Sequence, residues 1–543
     1  MRTYRVPPVD RPADTSLADA VFRNAADHPD TVAFRRWPDG ADVTAAEFAA
    51  EVTAVAKGLA AAGVRAGDRV ALLSATRYEW TVLDYAIWAA GAVVVPVYDT
   101  ASVEQIRWIL ANSGAVRCVV ENGTQAATVA AACADRPVPV WRLDEDTLGR
   151  LARRAAEVTD EEFERRRDVD PDDVATIIHT SGTTGRAKGV VVTHRNFLAN
   201  LDGFLDRLGD VFSPGGAVVL FLSPAHIFTR TMQCAAVVRR VRVTHVPDPA
   251  ELPASLAVVR PTVLPLVPRF MEKLRDAAPG GDAGAALGGR CAAIVVGGAP
   301  HGDDLRDFYR SAGIAVYEGY GLTEVAGPAT INGPAEQRTG TVGRPLPGVA
   351  VRLADDGEIF IRGDCVSRAY HGDPAATADA LVDGWLRTGD VGSLDDGYLR
   401  ITGRKKELVI TAGGKNVDVT ALESRLRAHP LVGNAMVVGD RRPFVACLVF
   451  ADRAALRARG RGDGDGDHDA DPALRAEVEA AVKEANEAVS RAESIRAFRI
   501  VDDELSVANG GLTASLKIRR DVVQARYAAE IDALYRKARQ HEK

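Results

Sequence analysis

Lysine is scarce in this chain of 543 residues: of 67 basic side chains only ten are lysines, so arginine is the default cation. A position that keeps lysine against that bias is a candidate for needing a compact ammonium in place of a planar guanidinium. Cysteine is scarce too, and the six present (Cys118, Cys133, Cys234, Cys291, Cys365, Cys447) show no C-x-x-C spacing. That argues against a disulfide framework or a zinc site and fits a reducing, cytoplasmic setting. No apolar run reaches the length of a membrane span. The longest, from Leu83 to Tyr98, is interrupted by Asp84 and Pro96, and Met1–Asp10 carries no apolar signal-peptide core. Basic charge is not in excess, with 67 basic against 74 acidic residues and a net charge of -7, so neither nucleic acid nor an anionic membrane is expected as the main partner.

What is present is a soluble-type composition, 47% hydrophobic and 26% charged, long enough for more than one domain. From Ser16 to about Thr402, short β-branched runs alternate with Ala/Leu-rich stretches. Arg69–Leu73, Ala92–Val97, Ala175–His179, Val190–Thr193, Ala217–Leu222 and Ala292–Val296 read as strands, and Glu47–Ala62, Val103–Asn112 and Asp303–Ala312 as helices. The alternation predicts α/β layers with mostly parallel strands. Asp356-Gly357 and Asp396-Gly397 then mark antiparallel hairpins. After Arg404 a compact tail reads as helix Thr420–His429, strands Ala435–Val438 and Phe444–Phe450, a helix from about Pro472 to Ala492, and a last helix Asp521–Ala538. The segment Gly460–Asp471 imitates a calcium loop, but has His468 where glycine is required and reads as a solvated loop.

Four segments carry chemistry. The first is Thr180-Ser-Gly-Thr-Thr-Gly-Arg-Ala-Lys-Gly189 between two strands. Its glycines (Gly182, Gly185, Gly189) let backbone N–H groups approach anionic oxygens; Ser181, Thr183 and Thr184 add hydroxyls, and Lys188 a point charge. It grips phosphate by composition, yet matches neither G-x-x-x-x-G-K-[ST] nor G-x-G-x-x-G. The second, Tyr317-Glu-Gly-Tyr-Gly-Leu-Thr-Glu324, offers a ring for a purine face at Tyr320, a hydroxyl at Thr323 and a hard oxygen for Mg²⁺ at Glu324. The third, Gly384-Trp-Leu-Arg-Thr-Gly-Asp390, sets a carboxylate after a glycine turn, suited to two ribose hydroxyls, with Arg404 as a second contact. The fourth, Gly511-Leu-Thr-Ala-Ser-Leu-Lys-Ile-Arg-Arg520, keeps a lone Lys517 before two arginines. Half of the lysines (Lys188, Lys405, Lys406, Lys415, Lys517) lie in or beside these segments and the Val409–Asn416 loop.

In this order, over about Leu17 to Ala538, the four segments resemble the ANL adenylate-forming superfamily of acyl-CoA synthetases, nonribosomal adenylation domains and luciferases. Arg69–Ala115 and Arg260–Lys273 look most like its bacterial long-chain fatty-acid–CoA ligase branch. The resemblance implies an α/β fold with a large N-terminal domain of layered α/β subdomains (1–403) that binds adenylate and acyl group. A small mobile α+β C-terminal domain (404–543) would carry a catalytic lysine. It implies an ATP-dependent acyl-CoA ligase: a carboxylic acid and ATP give acyl-AMP and pyrophosphate, then coenzyme A takes the acyl group and AMP leaves. The cofactors implied are ATP, Mg²⁺ and coenzyme A. The alternative acceptor is an acyl carrier protein, and monomer and homodimer both stay open.

By the same resemblance, Thr180, Ser181, Gly182, Thr183, Thr184, Gly185 and Lys188 would hold the phosphates, with Thr184 and Glu324 at the metal. Gly298 and Ala299 of Gly297-Gly-Ala-Pro300 would flank adenine with Glu318, Gly319, Tyr320 and Gly321, and Thr323 would meet the α-phosphate. Asp390 and Arg404 would take the ribose. Lys517 would bridge carboxylate and α-phosphate as two anions meet. Lys406 matches the hinge about which the C-terminal domain rotates, bringing up the Val409–Asn416 loop with Gly414, and His226 matches a gate of the acyl channel. The chain departs from the branch in having Ala514 where a proline is usual. It is also short between Lys273 and Gly297, where long-chain relatives carry extra helices over the acyl site. That shortening predicts a preference for medium-chain or compact acids.

Overall fold

The structure is a computed structural model that describes residues 3–9, 14–180, 186–405, 409–412, 416–417, 419–459, 468–487, 489–491, 493–513 and 517–541. Two sheets dominate residues up to 405. In the first, the strands run Ala369–Tyr370, Lys188–Thr193, Val174–Thr180, Val93–Val97, Arg69–Leu73, Arg117–Val120, Val140–Arg142 across the sheet. The second has nine strands, in the order Arg344–Pro345, Gly327–Ile331, Ala315–Leu322, Ala293–Val296, Val263–Leu266, Ala217–Leu220, Arg242–His245, Val32–Arg35, Asp42–Thr44. Both are parallel in their interior; the second is antiparallel at both edges, the first only at the edge of Lys188–Thr193 and Ala369–Tyr370. Interior strands such as Val93–Val97 and Ala293–Val296 are buried along their whole length, as strands covered on both faces must be. Among the described residues the largest apolar cluster includes residues from both sheets.

The stretch Leu83–Tyr98 resolves into the buried helix Tyr78–Ala89 and the strand Val93–Val97. Its one charge, Asp84, is fully buried and meets the guanidinium of Arg230, which also donates to Thr176 (2.7 Å) and lies over the rings of Trp80 and Trp88. A third, antiparallel sheet carries the two Asp-Gly hairpins: Ala350–Leu353 with Glu358–Arg362, and Trp385–Asp395 with Tyr398–Arg404. Immediately after it, Lys405 is tied back: its amide donates to Gly389 (2.7 Å) and its ammonium to Asp356 (2.6 Å) and Glu358 (2.9 Å).

Beyond residue 409 a separate three-stranded sheet, Val432–Val438, Val445–Ala451 and Ile495–Val501, has an apolar cluster on each face. The expected helix from Pro472 to Ala492 stops at Asn486. There the Asn486 side chain binds both the N–H (2.8 Å) and the C=O (2.9 Å) of Ile495, turning the chain into the strand Ile495–Val501, which the apolar pattern did not announce. The expected last helix is two, Arg520–Arg526 and Ala528–His541. Most of the calcium-like loop falls outside the described residues. No helix among the described residues is long and apolar enough to cross a membrane.

Candidate active site

The phosphate-type loop joins two antiparallel strands, Val174–Thr180 and Lys188–Thr193, in which Thr180 faces Lys188. Ser181, Gly182, Thr183, Thr184 and Gly185 lie outside the described residues. Both residues flanking Lys188 are pinned by their carbonyls: Ala187 accepts from the Trp108 indole (2.7 Å) and Gly189 from the amide of His371 (2.7 Å). The Lys188 ammonium sits over the ring of Tyr370 at 4.9 Å.

The second segment is the strand Ala315–Leu322, continued by the short turn Thr323–Val325. A bulge between Tyr320 and Gly321 re-aims the chain against Gly327–Ile331. Gly321 cannot carry a side chain, because a Cβ there would stand 2.0 Å from the Gly327 carbonyl oxygen. Thr323 is buried. Glu324 is held at both ends, its backbone carbonyl by the amide of Ser367 (2.8 Å) and one carboxylate oxygen by the Tyr370 hydroxyl (2.8 Å). Beside this strand, Gly298 takes a left-handed φ of 86° in the exposed Gly298-Ala299 turn. The His301 imidazole that follows is 3.5 Å from the Glu318 carboxylate, whose pKa burial raises against the lowering charge of His301.

Asp390 and Arg404 are cross-strand partners in the hairpin that ends at Arg404. The carboxylate of Asp390 is buried and accepts from Arg404 Nε (2.8 Å) and from the Tyr320 hydroxyl (2.6 Å). Burial first, and the Asp390 charge second, drive the Tyr320 phenol well above its ordinary pKa, so it stays a donor. Two segments 70 residues apart in sequence therefore share one carboxylate.

Lys517 stands on a narrow hairpin: its amide donates to the Thr513 hydroxyl (3.0 Å), its carbonyl accepts from the Thr513 amide (2.7 Å), and Leu512 bridges Ile518. The lysine is exposed and its charge is felt by His226, which caps the helix Ile227–Val238 by accepting from the Phe228 amide at 3.2 Å. Burial, then the Lys517 charge, holds the His226 imidazole down to about 4. Lys406 and Gly414 lie outside the described residues.

Contacts thus bring Lys188 and Glu324 together through Tyr370, and Tyr320 and Arg404 together on Asp390, while His226 feels the charge of Lys517. Sequence reasoning missed Tyr370, Ser367 and His371. They sit on or beside a strand of two residues, Ala369–Tyr370, too short to leave a periodic signal. One hard carboxylate oxygen, hydroxyls and an ammonium suit a metal–nucleotide, since Mg²⁺ is commonly held by one or two carboxylates plus substrate phosphates.

Comparison with known proteins agrees with this geometry. The model of the AMP-binding enzyme family matches residues 21–371, and that of the AMP-binding enzyme C-terminal domain matches 406–539. The long-chain-fatty-acid–CoA ligase FadD15 of Mycobacterium bovis is 41% identical over 586 aligned positions, covering 96% of this chain and 97% of that protein. Among solved structures, ATP-bound MatB from Rhodopseudomonas palustris superposes with a TM-score of 0.77 at 26% identity, covering 95% of this chain and 99% of its own. The anthranilate CoA ligase AuaEII, in complex with anthranoyl-AMP, gives 0.80 at 19% identity over 95% of this chain and 98% of its own, a likeness of fold. With both family models matched in order along most of the chain, this protein belongs to the AMP-binding enzyme family, within the adenylate-forming superfamily.

Proposed function

We propose that this chain is an AMP-forming acid–thiol ligase: with ATP it converts a carboxylic, fatty-type acid into acyl-AMP and pyrophosphate, then forms the coenzyme A thioester and AMP. One observation carries the reading. Lys188 and Glu324 of the larger part both meet Tyr370, and Tyr320 and Arg404 both meet Asp390, while the charge of Lys517, from beyond residue 409, is felt at His226. In the division read here, 1–403 and 404–543, the separate apolar clusters before and after the Tyr398–Arg404 strand support two domains, with Lys406 at the joint.

In this reading Thr180, the hydroxyls of the loop that follows it, and Lys188 grip the β- and γ-phosphates. Glu324, with Thr184, holds Mg²⁺, which supplies charge neutralisation on the phosphates when bound. Gly298, Ala299, Glu318, Gly319, Tyr320 and Gly321 form the adenine slot. Asp390, already fixed by Tyr320 and Arg404, presents its carboxylate to the ribose hydroxyls without further ordering. The barrier to adenylation is largely the approach of two anions, the carboxylate and the α-phosphate. Lys517 and Thr323 place a cation and a hydroxyl where that charge concentrates. His226, neutral near pH 7 because its pKa is about 4, adds no charge of its own at the mouth of the acyl site. Coenzyme A enters in the second half-reaction, for which rotation about Lys406 would withdraw Lys517 and bring up the loop of Gly414.

The test is pyrophosphate release over straight-chain acids from two to sixteen carbons plus aryl acids, each with and without coenzyme A. Release that peaks at one acid and turns over faster with coenzyme A is the expected result. Release indifferent to coenzyme A overturns the thioester step and leaves adenylation standing.

A further inference from the structure

The five residues Ser367–His371 hold together two parts of the site that the chain supplies from 136 positions apart, Lys188 and Glu324. The amide of Ser367 donates to the Glu324 carbonyl (2.8 Å) and the amide of His371 to the Gly189 carbonyl (2.7 Å). Between them Tyr370 pairs in register with Val190, which fixes its position beside Lys188. Its amide is taken by the Thr377 hydroxyl (3.0 Å), so its backbone is fixed as well. From that fixed point the side chain does two things: the hydroxyl donates to Glu324 Oε1 (2.8 Å), and the ring face receives the Lys188 ammonium at 4.9 Å. In that contact the phenol O–H is the donor and the carboxylate oxygen the acceptor.

We propose that Tyr370 is a positioning residue for adenylation: its hydroxyl orients the Glu324 carboxylate and its ring steadies the Lys188 ammonium, setting the metal-binding oxygen and the phosphate-binding cation at one spacing. The inference rests on the adenylation reading. A hydrogen bond to one oxygen of a ligating carboxylate directs the other, and groups behind metal ligands typically govern 10–100-fold in metal affinity. A cation over an aromatic face gains about 0.5–1 kcal/mol at an exposed site, a few-fold in binding. The two contacts therefore have separable signatures, the first dependent on Mg²⁺ and the second not.

The experiment measures binding of labelled ATP by equilibrium dialysis, without acid or coenzyme A, across a Mg²⁺ titration and in chelator. Tyr370→Phe keeps the ring and removes the hydroxyl; Tyr370→Gln keeps a donor and removes the ring. For Tyr370→Phe the Mg²⁺ concentration at half-maximal binding should rise about tenfold, while binding in chelator stays within about twofold of the parent. For Tyr370→Gln binding in chelator should weaken about threefold with a smaller change in Mg²⁺ dependence. A Tyr370→Phe protein with the parent's Mg²⁺ midpoint overturns the inference and leaves adenylation intact. So does a loss of ATP binding equal with and without Mg²⁺ in both variants, the mark of a merely structural tyrosine. A parent whose ATP binding ignores Mg²⁺ overturns the inference and the adenylation reading together.

Discussion

The charge of Lys517, from beyond residue 409, acts on His226 of the larger part and, added to burial, holds that imidazole down to about 4. An exposed lysine thus acts electrostatically on a ring fixed as a helix cap. In a chain where most bases are arginines, this lysine marks a place where a compact charge follows moving oxygens. Lys517→Arg should therefore lower acid-dependent pyrophosphate release about 100-fold or more, with ATP binding changed less than about threefold. Release within tenfold of the parent would show that charge alone suffices.

Asp390 is held by two donors before any ribose arrives, Tyr320 at 2.6 Å and Arg404 at 2.8 Å. Removing the phenol while keeping the ring leaves a buried carboxylate short of one partner and free to turn. Tyr320→Phe should raise the KM for ATP about tenfold, an effect of about 1.4 kcal/mol, with a smaller change in kcat. A fall in kcat with KM unchanged would place Tyr320 in the transition state and not in nucleotide binding.

Three buried histidines, together with His226, set the acid limit of stability. Burial lowers His179 and His245 to about 4 and His194 to about 3, with neighbouring cations adding to the effect at His179 and His194. Their folded pKa values lie below the unfolded value of about 6.5, so the unfolded chain binds more protons. Their contribution is fully present above pH ~6.5 and is lost as pH falls toward 4. Burial raises Asp84 to about 6 against the pull of Arg230, which works in the opposite sense and offsets one proton. With His226 also at about 4, the unfolding free energy near pH 5 should fall by about 4 kcal/mol per pH unit, and His245→Gln should remove about one proton from that slope. Urea unfolding at pH 7, 6 and 5 reads it directly; a flat profile would mean that these rings protonate in the folded state.

The Asp84–Arg230 pair invites a different measurement. Both groups are fully buried, and the guanidinium is also fixed by Thr176 and two tryptophan rings. Arg230→Met alone should cost about 3–5 kcal/mol, because it strands a carboxyl in an apolar layer. Adding Asp84→Asn should recover part of that loss, measured as the coupling energy of a double-mutant cycle. Additive losses would mean that packing, not charge, is what Arg230 contributes.

These contacts separate what the amino-acid order discloses from what it conceals. Strands such as Arg69–Leu73 and Ala293–Val296 were legible because interior parallel strands are continuous apolar runs between turn residues. Lys188, Glu324, Asp390 and Lys517 were legible because phosphate and ribose chemistry calls for particular side chains beside glycine turns. Tyr370 was not, since a two-residue edge strand has no period and a tyrosine has many structural uses. The strand Ile495–Val501 was concealed because its two arginines, Arg496 and Arg499, stand three apart and leave no period of two, and because Asn486 ends the preceding helix by a side-chain contact. Sharing of Asp390 between Tyr320 and Arg404 depends on register, which only the folded hairpin supplies.

The acyl site yields the last prediction. FadD15 of Mycobacterium bovis aligns over 586 positions, more than the 543 residues of this chain, so that relative carries segments this chain lacks. Between Lys273 and Gly297 there remain the end of the helix Pro268–Asp276, a single turn Pro279–Gly281 and the four-residue helix Ala283–Ala286 before the strand Ala293–Val296. Little helix is left there to cover a long chain. Each buried methylene is worth about 0.8 kcal/mol, so eight carbons left without cover forfeit several kcal/mol of binding that a covered site would gain. Palmitate should therefore show no gain over octanoate in kcat/KM, with pyrophosphate release as the readout. A kcat/KM for palmitate about tenfold or more above that for octanoate would show that other walls of the site enclose the chain and that the shortened segment is immaterial to length selection.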